Sequence, residues 1–104
     1  MPVYHYWVTF RIREDATSDR RRRAMVDLAI KINMGRWMEP TSFMLLECDV
    51  SATLLARYLA QPLLSDRDLL VVVDLHLPTD AAYFGVVRSA AVLRSFLGSI
   101  VKVG

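Results

Sequence analysis

A long alternating segment close to the amino end, followed at once by a helical segment, constrains the fold more than any other feature. Residues 3–13 read VYHYWVTFRIR, rich in β-branched and aromatic side chains, which is typical of a β-strand. Because strand side chains alternate between faces, one face is expected to carry Tyr6, Val8 and Phe10, and the other His5, Trp7, Thr9 and Arg11. The strand ends on a cation, Arg11, where a carboxylate would have suggested a metal site.

The rest of the chain alternates between segments with helical periodicity and segments with strand periodicity. A helix capped by Thr17 or Ser18 is predicted to run to about Asn33, and a second helix capped by Asp49 or Ser51 ends before Pro62. Strands are predicted over residues 36–39, 41–48, 69–76, 81–87 and 100–103, with a short helix over 89–97. This order predicts an α+β domain of the ferredoxin-like, split βαβ type. We expect one domain over residues 1–104, with its core at about 3–76 and a C-terminal extension at about 81–104.

Right-handed crossovers would send both main helices to one face of the sheet and leave the other face open. Facing the helices we expect Tyr6, Val8, Phe10, Met44, Leu46, Val71 and Val73. On the open face we expect Trp7, Thr9, Arg11, Phe43, Leu45, Glu47, Val72, Asp74 and His76. An open face with an apolar centre, in a chain that is 54% apolar, predicts a homodimer formed through that face or through the C-terminal edge strand.

Composition excludes several classes of protein. A single cysteine, Cys48, allows no internal disulfide and no cysteine zinc cluster, and favours a reducing cytoplasm. The apolar runs are too short to cross a bilayer and the first residues do not read as a signal segment, so we expect no membrane partner. The net charge of +2 is modest and does not by itself indicate nucleic acid.

Arginines form the most prominent charged feature. Residues 20–23 are all arginine; at helical spacing they point in four directions, which favours a solvated helix start. Arg21 falls on the apolar stripe and is expected to extend over the core with its head in water. The alternative is a phosphate-binding patch formed by Arg11, Arg13 and Arg20.

Two further groups are candidate functional residues. Asp74 and His76 lie two apart in a strand, and a histidine beside a carboxylate can act as a general base; we favour a surface hydrogen-bonding cluster, since neither serine nor cysteine is placed as a nucleophile. Trp7, Trp37 and Phe43 can stack on bases, although a role in the core or an interface is favoured. No glycine-rich phosphate loop, HExxH or GxSxG motif is present, so no cofactor or metal is predicted.

Three segments carry a resemblance to a known family: the DRRR helix start at residues 19–22, the TSFMLLE strand at 41–47, and the acidic turn DRDL at 66–69. Together they resemble the small ferredoxin-like subunit of CRISPR adaptation complexes, a family described as endoribonucleases. The chain is also similar to short uncharacterised bacterial proteins with a W-x-E-P-T-S-F segment, here residues 37–43. The resemblance implies the fold and the dimer. It does not extend to the family's metal-holding aspartate at the end of the first strand, where this chain has Phe10, Arg11 and Ile12.

The leading hypothesis is therefore a homodimeric, non-catalytic module that binds nucleic acid or a protein. One alternative is an enzyme, either a metal-dependent nuclease or a hydrolase that uses Asp74 and His76. A toxin or antitoxin component is the third hypothesis.

Overall fold

A single sheet organises the chain, and the computed structural model describes residues 2–104 of it. Along those residues the elements are β1 (Tyr4–Arg11), α1 (Ser18–Ile32), β2 (Gly35–Trp37), β3 (Phe43–Cys48), α2 (Ala52–Leu59), β4 (Leu69–Asp74), β5 (Ala81–Gly85), α3 (Ala90–Phe96) and β6 (Val101–Val103). The strands lie in the order β2-β3-β1-β4-β5-β6. All neighbours are antiparallel except β5 and β6, which are parallel. The predicted α+β class and the sequence of elements are confirmed.

Helices α1 and α2 pack on one face of this sheet and bury the main core. Tyr6 and Val8 of β1 and Leu46 of β3 face the helices, as the alternation predicted. Met25 and Ala29 of α1 meet them at helical spacing and are fully buried. Helix α2 adds Leu55 and Leu59, and it begins at Ser51, whose hydroxyl accepts a hydrogen bond from the Leu54 amide at 3.2 Å. Of the two caps proposed for that helix, Ser51 is therefore the one used.

The predicted face assignment of β4 is wrong. The register pairs Phe10 with Leu70 and Val8 with Val72, and directly opposed residues in neighbouring strands share a face. Leu70, Val72 and Asp74 therefore face the helices, while Val71 and Val73 lie on the other face. The strand reads LLVVVD and is buried on both faces. Without an alternation of apolar and polar residues, the sequence did not indicate which residues face the helices.

The second face of the sheet is half covered, which also differs from the prediction of an open face. Leu93 and Leu97, on α3 and directly after it, pack with Ile100 against a small second core on β4 and β5, formed by Val71, Val73, Ala81 and Tyr83. The Arg94 guanidinium lies 6.0 Å from the centre of the Tyr83 ring. The part of this face over β2, β3 and β1 carries His5, Trp7, Thr9, Trp37, Phe43, Leu45 and Glu47, all exposed or half-buried. We call it the exposed half-sheet.

Strand β5 ends in a close backbone approach at Gly85. Its φ is +98°, a left-handed conformation that residues with side chains rarely adopt. A β-carbon at this position would overlap the main-chain carbonyl oxygen of Asp68. The next amide, that of Val86, donates a hydrogen bond to the same oxygen at 2.9 Å. Glycine thus allows the end of β5 to lie directly against the loop before β4.

Replacing Gly85 with alanine is expected to lower the free energy of unfolding by at least about 2 kcal/mol, because both the φ angle and the overlap must be relieved. Gly98→Ala is the matched control: its β-carbon would meet only the Arg94 carbonyl oxygen, at 3.7 Å. Urea unfolding of the two variants measures the difference. Equal stabilities for the two would contradict the close approach.

Candidate functional site

The candidate site is built around a buried carboxylate, Asp68, which lies one residue before β4 and has no exposed surface. Its Oδ1 accepts hydrogen bonds from the Arg13 amide at 3.0 Å and from Arg21 Nη2 at 3.1 Å. Its Oδ2 accepts from Arg21 Nε and from the Leu64 amide, both at 2.9 Å. One side chain therefore joins the end of β1, the first turns of α1 and the loop between α2 and β4.

Arg21 is the buried partner of this carboxylate. Its side chain is 6% exposed, so the expectation that its head reaches water is wrong. A second carboxylate, Asp15, lies 2.9 Å from Nη1, and Nη2 also donates to the Arg13 carbonyl oxygen at 3.1 Å. The hydrogen bonds that Arg21 donates to Asp68 and Asp15 raise its pKa above the ordinary value. Only one arginine of the 20–23 run is used in this way; Arg22 instead pairs with Asp19 at 3.3 Å.

Asp15 holds the loop that leads into α1. The bond from Arg21 and the backbone N–H of Thr17, at 2.8 Å, lower the pKa of the Asp15 carboxyl well below its ordinary value. Its Oδ2 also accepts from Arg67 Nη1 at 3.0 Å. Thr17 is the residue before the helix, as predicted, but its hydroxyl contacts Asp15 and Arg21 and makes no capping hydrogen bond.

An arginine-lined groove of about 430 Å³ lies beside this network. Arg11 and Arg13 enter it from the end of β1, Arg67 from the loop before β4, and Arg88 from the segment after β5. Val86 and one carboxylate, Asp66, complete the lining. Arg11 is positioned by a hydrogen bond from Nη2 to the Val86 carbonyl oxygen at 3.3 Å. Four arginines thus border one concavity that has a single acid in its lining, and Arg67 among them is also paired with Asp15.

The sequence identified half of this groove. Arg11 and Arg13 come together as the phosphate-patch hypothesis required, but Arg20 does not line the groove and is exposed on α1. Arg67 and Arg88 were missed because they are distant in sequence. A signal for Arg67 was available in its position within the acidic turn at residues 66–68. The sequence analysis used that turn only as part of the family resemblance.

Stacked aromatic rings occupy the exposed half-sheet. Trp7, Trp37 and Phe43 were proposed as stacking residues, and the ring centres of Trp7 and Phe43 lie 6.3 Å apart with planes inclined by 20°. Trp37, which the sequence placed on a separate edge strand, adds an edge-to-face contact with Phe43 at 6.4 Å. Trp37 is 42% exposed. The three rings form a continuous aromatic surface whose outer end is accessible to a ligand.

The expected pairing of Asp74 with His76 on one face is wrong. Asp74 lies on the helix side and is only 4% exposed. Its Oδ1 accepts hydrogen bonds from the main-chain amides of His76 at 2.9 Å and Leu77 at 3.1 Å. Strand β4 has ended by then, so the His76 ring turns to the opposite side of the sheet. There its Nε2 lies 3.2 Å from His5 Nδ1. A histidine–carboxylate pair does form, but between His5 Nε2 and Glu47 Oε2, at 2.8 Å.

The single cysteine of the chain lies in the core. Cys48 is buried on the helix side, and burial raises the pKa of its thiol to about 11, so it stays protonated at neutral pH. Within residues 2–104, no three or more His, Cys, Asp or Glu side chains are grouped so that they could hold a metal ion. None of the helices in that range is both long and apolar enough to span a membrane.

Comparison with known proteins gives no relative: no protein-family model, curated protein or solved structure matches this chain.

The Asp15 network gives a pH-dependent prediction. Because the pKa of Asp15 is lowered in the folded protein, its stabilising effect is complete above the ordinary value of 3.8 and is lost as the pH falls further. Asp15→Asn is therefore expected to lower the free energy of unfolding at neutral pH. Its difference from the wild-type protein should stay constant down to about pH 5 and shrink at lower pH. Unfolding curves across this range test it, with Asp19→Asn as control, since the Asp19 side chain is 89% exposed. A difference in unfolding free energy that does not change with pH would contradict the lowered pKa of Asp15.

Proposed function

We propose that this chain is a non-catalytic module with a ferredoxin-like fold that binds single-stranded nucleic acid, with phosphates in the arginine-lined groove. The strand order β2-β3-β1-β4, with α1 and α2 on one face, supports the fold assignment. In this scheme β5, α3 and β6 are the C-terminal extension.

The observation that carries the proposal is the grouping of Arg11, Arg13, Arg67 and Arg88 around one groove. Arg67 is paired with Asp15, and Asp66 is the one acid in the lining, so cations still outnumber anions around the groove. Like charges held together repel each other, so this excess of positive charge costs stability that a bound anion would offset. Guanidinium groups present planar, forked donors that match phosphate oxygens. A phosphate group is therefore the ligand that best fits this lining.

The position of the groove favours a polymer over a small phosphate. Arg11 and Trp7 lie on the same face of β1, four residues apart, which is about 13 Å at the rise of a strand. The groove thus leads directly onto the stacked rings of the exposed half-sheet. Proteins that bind single strands combine a basic track for the backbone with aromatic side chains for the bases.

The same residues argue against the nuclease alternative. A hard divalent cation needs oxygen ligands, and the end of β1 carries Arg11 and Arg13 beside a single groove carboxylate, Asp66. The hydrolase alternative required Asp74 beside His76, and those side chains lie on opposite sides of the sheet. Binding without cleavage is the role that this chemistry supports. The toxin or antitoxin hypothesis stays a prediction.

The test is the salt dependence of oligonucleotide binding. With single strands of about eight nucleotides, within the range of known single-strand sites, the affinity should fall linearly on a logarithmic plot as salt increases. Arg11→Gln/Arg13→Gln should weaken binding and reduce the slope by about 1.4, since each lost phosphate contact contributes about 0.7. Only the backbone of Arg13 contacts Asp68, so the network stays intact. Fluorescence anisotropy measures both quantities.

Arg20→Gln/Arg23→Gln is the matched control, because it removes two exposed arginines from α1, outside the groove. It is expected to change the slope much less than the groove variant does. Equal slopes for both pairs, or no binding at low salt, would contradict the proposal. Metal-dependent cleavage of the strand that is lost in Asp74→Ala would restore the nuclease alternative.

Homodimer formation also stays a prediction. A dimer formed through the exposed half-sheet would cover the same aromatic rings that we assign to bases. Sedimentation equilibrium with and without oligonucleotide therefore belongs with the binding test. A dimer that dissociates when the strand binds would indicate competition for that surface.

A further inference from the structure

A second concavity, of about 220 Å³, opens on the exposed half-sheet away from the arginine-lined groove. On the exposed half-sheet it is lined by His5, Gly35, Trp37, Leu45, Glu47 and Leu75. Tyr6, Arg36 and Leu46 also border it, but their register places their side chains on the helix side of the sheet. Most of the lining is apolar, and the one carboxylate in it is Glu47. A flat, largely apolar ligand with a hydrogen-bonding edge fits such a lining.

Gly35 provides the space in this concavity. It pairs with Glu47 across the β2–β3 ladder, and Trp37 pairs with Leu45 two residues further on. A β-carbon on residue 35 would lie 3.6 Å from the Glu47 β-carbon and 3.8 Å from its Oε1, which is ordinary contact. The backbone there is not left-handed. The absence of a side chain is therefore not needed for folding, and what it leaves is room beside the carboxylate.

The Glu47 carboxylate is held in place from one side. His5 Nε2 lies 2.8 Å from Oε2, and the other nitrogen of the His5 ring lies 3.2 Å from His76 Nε2. The Glu47 side chain is 39% exposed, and its Oε1 lies on the Gly35 side. A carboxylate accepts about four hydrogen bonds and donates none. A ligand edge placed against it must therefore present N–H groups.

From this geometry we infer that the concavity is a guanine-selective site, which rests on the proposed binding of single-stranded nucleic acid. Guanine presents two adjacent donors, N1–H and the N2 amino group, which match the two oxygens of a carboxylate. Adenine and cytosine each place a ring-nitrogen acceptor beside their amino group, and uracil flanks its one N–H with two carbonyl oxygens. Each of these would turn an acceptor toward Glu47.

The surroundings of the site provide stacking for that base and a path for its neighbours. Trp37 borders the concavity, and its indole Nε1 donates to the Glu39 carboxylate, which fixes the ring. Trp37 contacts Phe43, which in turn stacks on Trp7. From His5 to Arg11 along β1 is about 20 Å at the rise of a strand. A strand with guanine at Glu47 can thus cross the rings toward the arginine-lined groove.

The test compares oligonucleotides of about eight uridines that carry one central guanosine, inosine, adenosine or uridine, using the full chain and fluorescence anisotropy. Guanosine should bind at least about fivefold more tightly than adenosine or uridine, as for other paired base contacts. Inosine lacks the N2 amino group and should fall between them. Glu47→Gln should remove most of this preference. Asp27→Asn, which removes an exposed carboxylate from α1 on the other face of the sheet, should retain it.

Gly35→Val fills the concavity and gives a second, independent variant. Valine suits a strand, and a β-carbon at this position makes only ordinary contact with the Glu47 side chain. The protein should therefore keep its melting temperature and lose the preference for guanosine. If all four strands bind equally to the wild-type protein with the salt slope expected of the groove, the guanine site is wrong and the proposed function stands. If no strand binds at all, both are wrong.

Discussion

The ion pair between Arg21 and Asp68 is the interaction on which the rest of this structure depends. Both side chains are almost completely removed from water, and a buried pair of charges is costly unless its remaining hydrogen-bonding groups are satisfied. In this protein those groups are satisfied. Asp68 also accepts hydrogen bonds from two backbone amides, and Arg21 also donates hydrogen bonds to Asp15 and to a backbone carbonyl. No buried side-chain nitrogen or oxygen among the described residues lacks a partner.

This network determines where the cations of the groove lie. Arg13 follows β1 with both its amide and its carbonyl bound to the pair, and Arg67 directly precedes Asp68. On the third side, Val86 is bound to the Asp68 main chain and precedes Arg88 by two residues. The ends of β1 and β5 and the loop before β4 are thus joined at one point, and each brings an arginine to the groove. The main-chain positions of these arginines are therefore set before any anion arrives, which reduces the ordering cost of binding.

How far the sequence predicts this molecule depends on how local each signal is. The alternation in β1 and the helical stripe through Met25 and Ala29 are local, and both gave the right face. Strand β4 is apolar on both faces, because α3 covers the face that α1 and α2 leave free. Its alternation therefore could not show which residues face α1 and α2. The apolar stripe singled out Arg21 from its neighbours in the run, but the burial of its head group could not be predicted, since its partner Asp68 lies 47 residues away. Long separations along the chain likewise hid Arg67 and Arg88 from the prediction. They also made His76 look like a partner of Asp74, whereas the histidine–carboxylate pair is formed by His5 and Glu47.

The central claim is that the segments joined at Asp68 form the anion-binding surface, and mapping by NMR tests it most directly. A single-stranded oligonucleotide is titrated at low salt into the uniformly ¹⁵N-labelled protein, and the shifts of the backbone amides are followed. The account predicts that the largest changes fall on residues 11–13, 66–68 and 86–88, with little change at Arg20 and Arg23. Changes centred on the arginine run of α1, or none at the ends of β1 and β5, would contradict it.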